Sequence, residues 1–300
     1  MESKAANIQM LYTDKRTTEQ TLETVNGKIM YNMTNDYMFR AVLQTNKRVL
    51  AGIVGALLHV DPESLDVEIQ NPVILGQSFE NKDFILDINV SINNSSRLNL
   101  EMQIVNYGSW KERSLSYLCR SFDNVCKGQD YITVEPVIQV SFIDFTLFPE
   151  SPEFYATYML QNIKTNRIYT DKLQLSIIEL NSIALATAGD RLYKLDKWAA
   201  FFKAKTWKEL KSMAATNQYM RAAANTIFEL SSDENIRELC RRRAEFEAYE
   251  RHQNAEIEHL KRANAALSQS NAALSQSNAD KDLEIARLKE LLASMQSDAL

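Results

Sequence analysis

The sequence predicts an α/β fold followed by an all-helical region and a C-terminal coiled-coil helix, and three observations indicate this. Up to about residue 185, segments with apolar residues at helical spacing alternate with segments in which every second residue is apolar. From Arg191 onward, only helical spacing occurs. Near the end of the chain, the sequence NAALSQS at 264–270 is repeated at once at 271–277, which is typical of a coiled coil.

The first part of the chain is predicted to contain both helices and strands. Glycine and proline are scarce, with 7 and 5 residues, so the helices are expected to be long. A polar cluster at 91–96 separates two alternating segments and predicts a turn between strands. The predicted elements are one or two helices at 35–60, strands at 66–70, 84–90 and 97–105, a helix at 109–127, and strands at 136–147, 154–163 and 173–180.

Two capping boxes are predicted to begin helices in the second part. Thr206 with Glu209, and Ser231 with Glu234, have the spacing in which each side chain binds the other's backbone amide. Residues 193–211 interleave six lysines with Trp198, Phe201, Phe202 and Trp207, which suggests either a contact with a DNA backbone or a helix with an aromatic face. We favour a core-facing aromatic stripe with a solvated lysine face.

The heptad repeat places polar residues in the predicted coiled-coil seam. A buried Asn at position a satisfies its amide against a partner's Asn in register, which favours a parallel dimer. We therefore expect a homodimer or higher homo-oligomer through residues 251–300, and the alternative is one solvated helix. Position d is assigned to Leu260, Leu267, Leu274, Leu288 and Met295, with Lys281 interrupting it, and position a to Ile257, Asn264, Asn271, Asn278, Ile285 and Leu292.

The composition is that of an ordinary globular protein. Of 300 residues, 45% are hydrophobic and 24% are charged, which excludes collagen-like, mucin-like and wholly disordered chains. The net charge of −5 argues against a cationic surface over the whole chain but leaves room for a local basic groove. Three cysteines suggest no disulfide framework, so we expect a reducing, cytoplasmic location. No signal peptide and no membrane segment is expected, because the longest apolar run, 49–60, is too short to cross a bilayer.

The hairpin at 84–105 holds the residues that point most clearly to chemistry. Pairing its two apolar faces requires a register centred on Asn94, since a shift of one residue would turn every side chain to the other face. That register sets Asp87 directly across from Glu101, with Cβ atoms about 5 Å apart. Because two facing carboxylates repel each other, the pair predicts a cation between them.

Mg²⁺ is the cation that fits this pair, because it takes one or two carboxylates together with waters and phosphate oxygens. Such an ion activates a bound water and stabilises negative charge on a phosphodiester. Gln103 follows on the same strand face as Glu101 and can position a water or a phosphate oxygen. The alternative is a solvated sheet face with scattered acidic residues, because a single D…E-x-Q pattern is weakly specific.

Five sequence blocks resemble one bacterial nuclease family. They are NDYMFR at 35–40, KDFILD at 82–87, LEMQ at 100–103, RSLSY at 113–117 and the predicted strand at 136–148. In this order and spacing they resemble the recombination-promoting nuclease and transposase family of the PD-(D/E)XK nuclease superfamily. The resemblance spans roughly residues 30–250, with the coiled coil as a variable appendage.

The resemblance implies a role for each residue of the candidate site. Asp87 and Glu101 would hold Mg²⁺, or Mn²⁺ as a substitute, together with the backbone carbonyl of Met102. Gln103 would occupy the place of the superfamily's lysine, and Asp36 would add a further acid from the first helix. Since Gln103 carries no charge, Lys82 or Arg113 would supply the missing positive charge from elsewhere.

The resemblance also implies an architecture and an activity. The expected fold is a restriction-endonuclease-like core, with a mixed central β-sheet flanked by helices. The expected activity is metal-dependent hydrolysis of DNA phosphodiester bonds, which would promote recombination or the spread of mobile elements. The expected domains are an N-terminal extension (1–30), the nuclease core (31–185), a helical connector (186–250) and the coiled coil (251–300).

Two other functions compete with the endonuclease. A catalytically silent DNA-binding or scaffold protein would keep the fold and act through its coiled coil. A true transposase with strand-transfer activity would need specific binding to DNA ends, and the sequence shows no recognition motif for that. No P-loop, dinucleotide-binding, serine-hydrolase or zinc-ligand motif occurs, which argues against those chemistries.

Overall fold

A computed structural model describes residues 21–71, 88–123 and 130–297. The chain divides into two compact units, the first ending at Glu245 and the second beginning at Phe246. The described part of the first unit contains a six-stranded sheet with helices on both faces. The second unit is the continuation of one long helix.

The sheet is mixed, which confirms the predicted α/β class with a mixed central sheet. Its strand order is β1-β2-β3-β4-β6-β5. Strands β3, β4 and β6 run parallel to one another, and the remaining neighbours pair antiparallel. The strands are β1 (Val67–Ile69), β2 (Ile88–Ile92), β3 (Ser96–Gln103), β4 (Val137–Ile143), β5 (Tyr155–Met159) and β6 (Leu173–Glu179).

The helices lie where helical spacing predicted them, but the expectation of long helices is wrong for three of them, which have 5, 8 and 8 residues. Residues 35–60 form two helices rather than one, because Asn46 ends the first and caps the second with its side chain. The helices are α1 (Asp36–Thr45), α2 (Lys47–Leu58), α3 (Trp110–Phe122), α4 (Ala188–Leu192), α5 (Leu195–Phe202), α6 (Trp207–Ala214), α7 (Gln218–Ser232) and α8 (Glu234–Ser297).

One of the two predicted capping boxes is present and the other is wrong. Thr206 and Glu209 form the reciprocal hydrogen bonds of a capping box at the start of α6. Ser231 lies in the last turn of α7, so it does not begin a helix. The cap of α8 is Asp233, whose side chain accepts a hydrogen bond of 3.0 Å from the amide of Ile236. The cap is therefore Asp233, two residues after the predicted Ser231.

The hairpin of β2 and β3 has the predicted register. Ile88 lies opposite Leu100 and Ile92 lies opposite Ser96, so the pairing is centred on Asn94. Asn93 and Asn94 both adopt left-handed backbone conformations, with φ of 51°, which asparagine tolerates better than most residues. The turn and the apolar pattern thus select the same register.

The even-numbered face of the central strands forms the main core. Phe142 of β4 meets Phe39 of α1 and Phe202 of α5 edge to face, with ring centroids 5.6 and 5.1 Å apart. Trp198 and Phe201 of α5 are also buried, so the aromatic side of 193–211 faces the core as predicted. Edge-to-face pairs of this kind contribute about 0.5–1.5 kcal/mol each beyond the area that they bury.

The odd-numbered face of the sheet is covered by helix α3. Trp110 begins this helix and packs with Ile143 of β4 and Ile177 of β6 in a second, smaller apolar cluster. Its ring also meets Phe145 edge to face at 6.3 Å. Because both faces of β3 and β4 are covered, polar side chains on the odd-numbered face are buried as well.

Helix α8 exposes apolar side chains along its second half. The predicted seam residues Leu260, Leu267 and Leu274 are 59–60% exposed, and Ile285 and Leu288 are about half exposed. In the described part of the second unit, no other helix or strand covers this stripe. None of the described helices combines the length and the apolar character that crossing a bilayer requires.

Gly52 lets α2 approach α5 and α7 closely, which gives a test of this packing. A Cβ added at Gly52 would lie 2.7 Å from Cβ of Tyr219 and 3.1 Å from a ring carbon of Trp198. We expect Gly52→Ala to lower the free energy of unfolding by about 1–3 kcal/mol, because the core has no room for the methyl group. Urea denaturation measures the change.

Gly189→Ala in α4 is the matched control. Its added Cβ would make only ordinary contacts, at 3.7 and 3.8 Å. This variant is expected to keep or slightly raise stability, since alanine restricts the unfolded chain more than glycine does. If Gly52→Ala were as stable as the parent protein, the close packing of these helices would be wrong.

Candidate active site

Glu101 lies near the end of β3, on the sheet face that α3 covers. Glu101 is only 6% exposed, and Ser141 is the residue paired with it on β4. The alternative of a solvated face with scattered acids is therefore wrong for this strand. A buried carboxylate needs a cation or several hydrogen-bond donors around it, because burial without them is very unfavourable.

Arg113 provides positive charge at this position. Its Nη2 donates to Oε1 of Glu101 at 3.1 Å, and its Nε donates to the hydroxyl of Tyr117 at 3.2 Å. The guanidinium carbon also lies 5.3–6.0 Å from the ring centres of Tyr107, Trp110 and Tyr117. Stacking on aromatic faces holds a guanidinium in place without neutralising it.

The surroundings keep Arg113 charged. Burial acts to lower the pKa of its guanidinium, but the carboxylate of Glu101 and the hydroxyl of Tyr117 outweigh burial and raise that pKa. The structure thus brings together Glu101 and Arg113, two of the predicted site residues. Helix α3 makes this contact possible, because Trp110 fixes its first turn against the sheet and Arg113 follows three residues later.

Gln103 is buried on the same face of β3, two residues after Glu101. Its Nε2 donates a 2.7 Å hydrogen bond to the carbonyl oxygen of Val105, which fixes the orientation of the amide. The amide oxygen is then the end that can accept a hydrogen bond from a water. Met102 sends its side chain to the opposite, apolar face, so only its backbone can take part in the site.

Asp87 and Lys82 lie outside the described residues. The register of the described part of the hairpin has the centre that the sequence predicted, and it begins with Ile88 opposite Leu100. The pairing of Asp87 with Glu101 stays a prediction, as does the role of Lys82.

Asp36 occupies the first turn of α1, and α1 packs against the apolar face of the sheet. Its Oδ2 accepts a 2.5 Å hydrogen bond from Nε of Arg243, the tenth residue of α8. The preceding residue, Asn35, caps α1 and donates to the carbonyl oxygen of Cys240. These contacts join the beginning of α1 to the first turns of α8. A role for Asp36 as a further catalytic acid stays a prediction.

Sequence reasoning did not predict that a row of polar side chains is buried beside Glu101. Asn99 of β3, and Gln139 and Ser141 of β4, are at most 3% exposed on the face that α3 covers. Nδ2 of Asn99 donates to Oε1 of Gln139 at 2.6 Å, and within the described residues Oγ of Ser141 has no hydrogen-bond partner. The signal was present at 136–147, where Gln139 and Ser141 alternate with large apolar residues in an otherwise hydrophobic strand.

The donor types at this position suit a hard divalent cation. Carboxylate, carbonyl and hydroxyl oxygens are the ligands that Mg²⁺ prefers, and Glu101, Met102 and Ser141 offer one of each on neighbouring strands. Within 21–71, 88–123 and 130–297, no three His, Cys, Asp or Glu side chains converge as a metal-binding group. Glu101 would therefore need the predicted carboxylate of Asp87 to complete a two-acid site.

Comparison with known families decides the class of the protein. A family model described as PD-(D/E)XK nuclease family transposase matches residues 33–283. The chain belongs to this family. Comparisons with curated proteins and with solved structures find no match. The match covers the sheet, helix α3 and most of α8, and it confirms the resemblance found in the sequence. Nucleases of this family act on DNA and typically use divalent metal ions.

Removing Arg113 tests how the buried carboxylate is compensated. In EDTA, we expect Arg113→Ala to lower the free energy of unfolding by about 1–3 kcal/mol, because Glu101 loses a charged hydrogen-bond donor. Adding about 10 mM Mg²⁺ should stabilise this variant more than the parent protein, since the ion would neutralise the same carboxylate. Chemical denaturation with and without Mg²⁺ measures both effects.

Arg120→Ala is the control on the same helix, because Arg120 is exposed and makes no ion pair within the described residues. It is expected to change stability by less than about 0.5 kcal/mol. Two results would contradict this account of the site. One is an equal loss of unfolding free energy in the two variants, and the other is an Arg113→Ala variant whose stability does not change with Mg²⁺.

Proposed function

We propose that this nuclease-family protein is a Mg²⁺-dependent DNA endonuclease, with Mn²⁺ able to replace Mg²⁺. The observation that carries the proposal is the buried carboxylate of Glu101 beside the aromatic-stacked guanidinium of Arg113. Asp87, Glu101 and the backbone carbonyl of Met102 would hold the ion. When bound, a Mg²⁺ ion lowers the pKa of water and stabilises negative charge on a phosphodiester.

Arg113 stabilises the charge that develops on the phosphate. In this family branch the charge cannot come from residue 103, which is a neutral glutamine. The guanidinium of Arg113 is charged, lies 3.1 Å from Glu101 and is held by three aromatic rings. A planar guanidinium offers paired donors that match two phosphate oxygens, which a single ammonium group cannot do.

Gln103 orients the water that attacks the phosphorus. Its amide nitrogen is anchored on the carbonyl oxygen of Val105, so its amide oxygen is held in one direction. An amide oxygen accepts a hydrogen bond but takes no proton at neutral pH, so this residue positions water without acting as a base. Anchored side chains of this kind contribute to rate by fixing the geometry of attack.

Plasmid nicking tests the proposed activity. We expect the parent protein to cleave supercoiled DNA with Mg²⁺ and to be inactive in EDTA. Asp87→Asn and Glu101→Gln should each lower the rate by about 100-fold or more, because each removes one charged ligand of the ion while keeping side-chain volume.

Glu229→Gln controls for the loss of one acidic side chain, since Glu229 is an exposed residue of α7. It should cleave like the parent protein. Equal cleavage by the parent, Asp87→Asn and Glu101→Gln would show that the activity comes from another site or a contaminant.

A catalytically silent DNA-binding protein is the second candidate, and the neutral residue at position 103 favours it. Calorimetric titration with Mn²⁺ distinguishes the two. An endonuclease should bind the ion and lose this binding in Glu101→Gln. A protein that binds DNA but takes up no Mn²⁺ would support the silent alternative.

We further propose that the chain forms a parallel homodimer through residues 251–300. The exposed seam on α8 supports this, because its leucines recur every seven residues and Asn264, Asn271 and Asn278 occupy position a. A dimer would bring two single-strand nucleases to one duplex and allow a double-strand break. Such breaks would promote recombination or the spread of mobile elements in a reducing, cytoplasmic compartment.

Charge in the seam tests dimerisation. Leu267→Lys combined with Leu274→Lys should convert the full chain to a monomer, because like charges then face each other at two successive d positions. Light scattering after size exclusion measures the mass. Converting Ser270 and Ser277, which lie outside the a and d rows, to Lys provides the control and should leave the dimer intact.

A parent protein that is monomeric at micromolar concentration would contradict the proposed dimer. A dimer that survives both leucine substitutions would place the contact elsewhere in the chain.

A further inference from the structure

A cleft of about 580 Å³ opens beside the candidate active site, on the same odd-numbered face of the sheet. Asn89 and Asn99 lie directly opposite each other on β2 and β3 and contribute to its lining. Arg120 and Ser121 from the last turn of α3 also line it, together with Val137 at the start of β4. The cleft has no assigned ligand, and its volume lies in the usual range for small-molecule sites.

The cleft lies next to the buried polar side chains that surround Glu101. Asn99 precedes Glu101 by two residues on the same strand face, which corresponds to about 7 Å along the strand. This distance equals about two base steps of axial rise in DNA. A ligand group in the cleft would thus lie one or two nucleotides from a phosphate at Glu101.

The carboxamides around the cleft are incompletely satisfied. Asn99 and Gln139 share one hydrogen bond of 2.6 Å, and within the described residues Oδ1 of Asn99 and Nε2 of Gln139 have no partner. If the oxygen and nitrogen of both side-chain amides were exchanged, the pair would still leave one donor and one acceptor without a partner. Asn99 is 97% buried and is one of the residues that line the cleft.

The charges around the cleft favour an anionic group at the α3 side. Arg120 is exposed and makes no ion pair within the described residues. Arg97 is already engaged with Glu135 at 2.7 Å. Glu68 lies on β1, two strands away from β3, and would repel an anion from that side. A phosphate in the cleft is therefore drawn toward Arg120.

We propose that this cleft binds one nucleotide of the DNA strand next to the cleaved phosphate. Arg120 binds its phosphate, and Asn89 and Asn99 hydrogen-bond the edge of its base, while Val137 contributes an apolar wall. Carboxamides suit this role because they present a donor and an acceptor together, as the edges of nucleobases do. This inference rests on the proposed function, since it takes DNA as the substrate.

Mononucleotide binding tests the cleft independently of cleavage. The probes are the four deoxynucleoside 5′-monophosphates, with 2-deoxyribose 5-phosphate and inorganic phosphate for comparison, titrated into the full chain in EDTA and followed by calorimetry or NMR. We expect at least one nucleotide to bind about tenfold more tightly than 2-deoxyribose 5-phosphate, because the base adds hydrogen bonds that the sugar lacks.

Two variants on accessible residues locate the binding. Arg120→Ala should weaken every phosphate-containing probe by about fivefold or more, because it removes a charge-assisted hydrogen bond. Asn89→Ala should weaken the nucleotides and leave 2-deoxyribose 5-phosphate unchanged. Lys208→Ala, on an exposed position of α6, is the matched control and should bind like the parent protein.

The outcomes separate this proposal from the nuclease itself. Nucleotide binding that depends on Arg120 and Asn89, in a protein that nicks no DNA, would support the nucleotide site in the cleft. The same result would contradict the proposed nuclease activity. A protein that nicks DNA but binds the probes equally with and without these substitutions would contradict nucleotide binding in the cleft. It would leave the proposed nuclease activity supported. Absence of any nucleotide binding would also contradict the proposed nucleotide site.

Discussion

The ion pair between Glu101 and Arg113 is the contact on which the candidate site depends. Glu101 is carried into the interior because β3 is covered on both faces, and a carboxylate in that position needs an opposite charge. Helix α3 supplies this charge because Trp110 anchors its first turn on Ile143 and Ile177. One helix therefore covers the polar face of the sheet and places the guanidinium of Arg113 beside Glu101.

In the proposed mechanism, the same arrangement replaces the lysine that the wider superfamily has on this strand. The strand position is occupied by Gln103, whose amide is fixed on the carbonyl of Val105. The positive charge comes from the neighbouring helix instead, where aromatic rings hold the guanidinium of Arg113. In the proposed mechanism, Arg113 would supply the charge and Gln103 would position the water. The net charge of −5 for the whole chain is compatible with one local cationic group.

Local patterns were enough to predict the fold class, the hairpin register and the aromatic face of α5, since the periods of strands and helices appear directly in the sequence. Contacts between distant segments were not predictable. The pair of Asp36 and Arg243 joins residues 207 positions apart. The burial of Asn99, Gln139 and Ser141 depends on where α3 packs, and only Trp110, Ser114 and Leu118 of that helix are buried. A pattern with so few buried positions does not indicate which face of the sheet the helix covers.

The position of a bound metal ion tests the central claim most directly. Crystals of the full chain soaked with Mn²⁺ would locate the ion by its anomalous scattering. The account predicts one ion per chain, bonded to a carboxylate oxygen of Glu101 at about 2.1 Å, with Arg113 beside it. An ion bound away from Glu101, or a Glu101 that stays paired with Arg113 while no ion binds near it, would contradict the account.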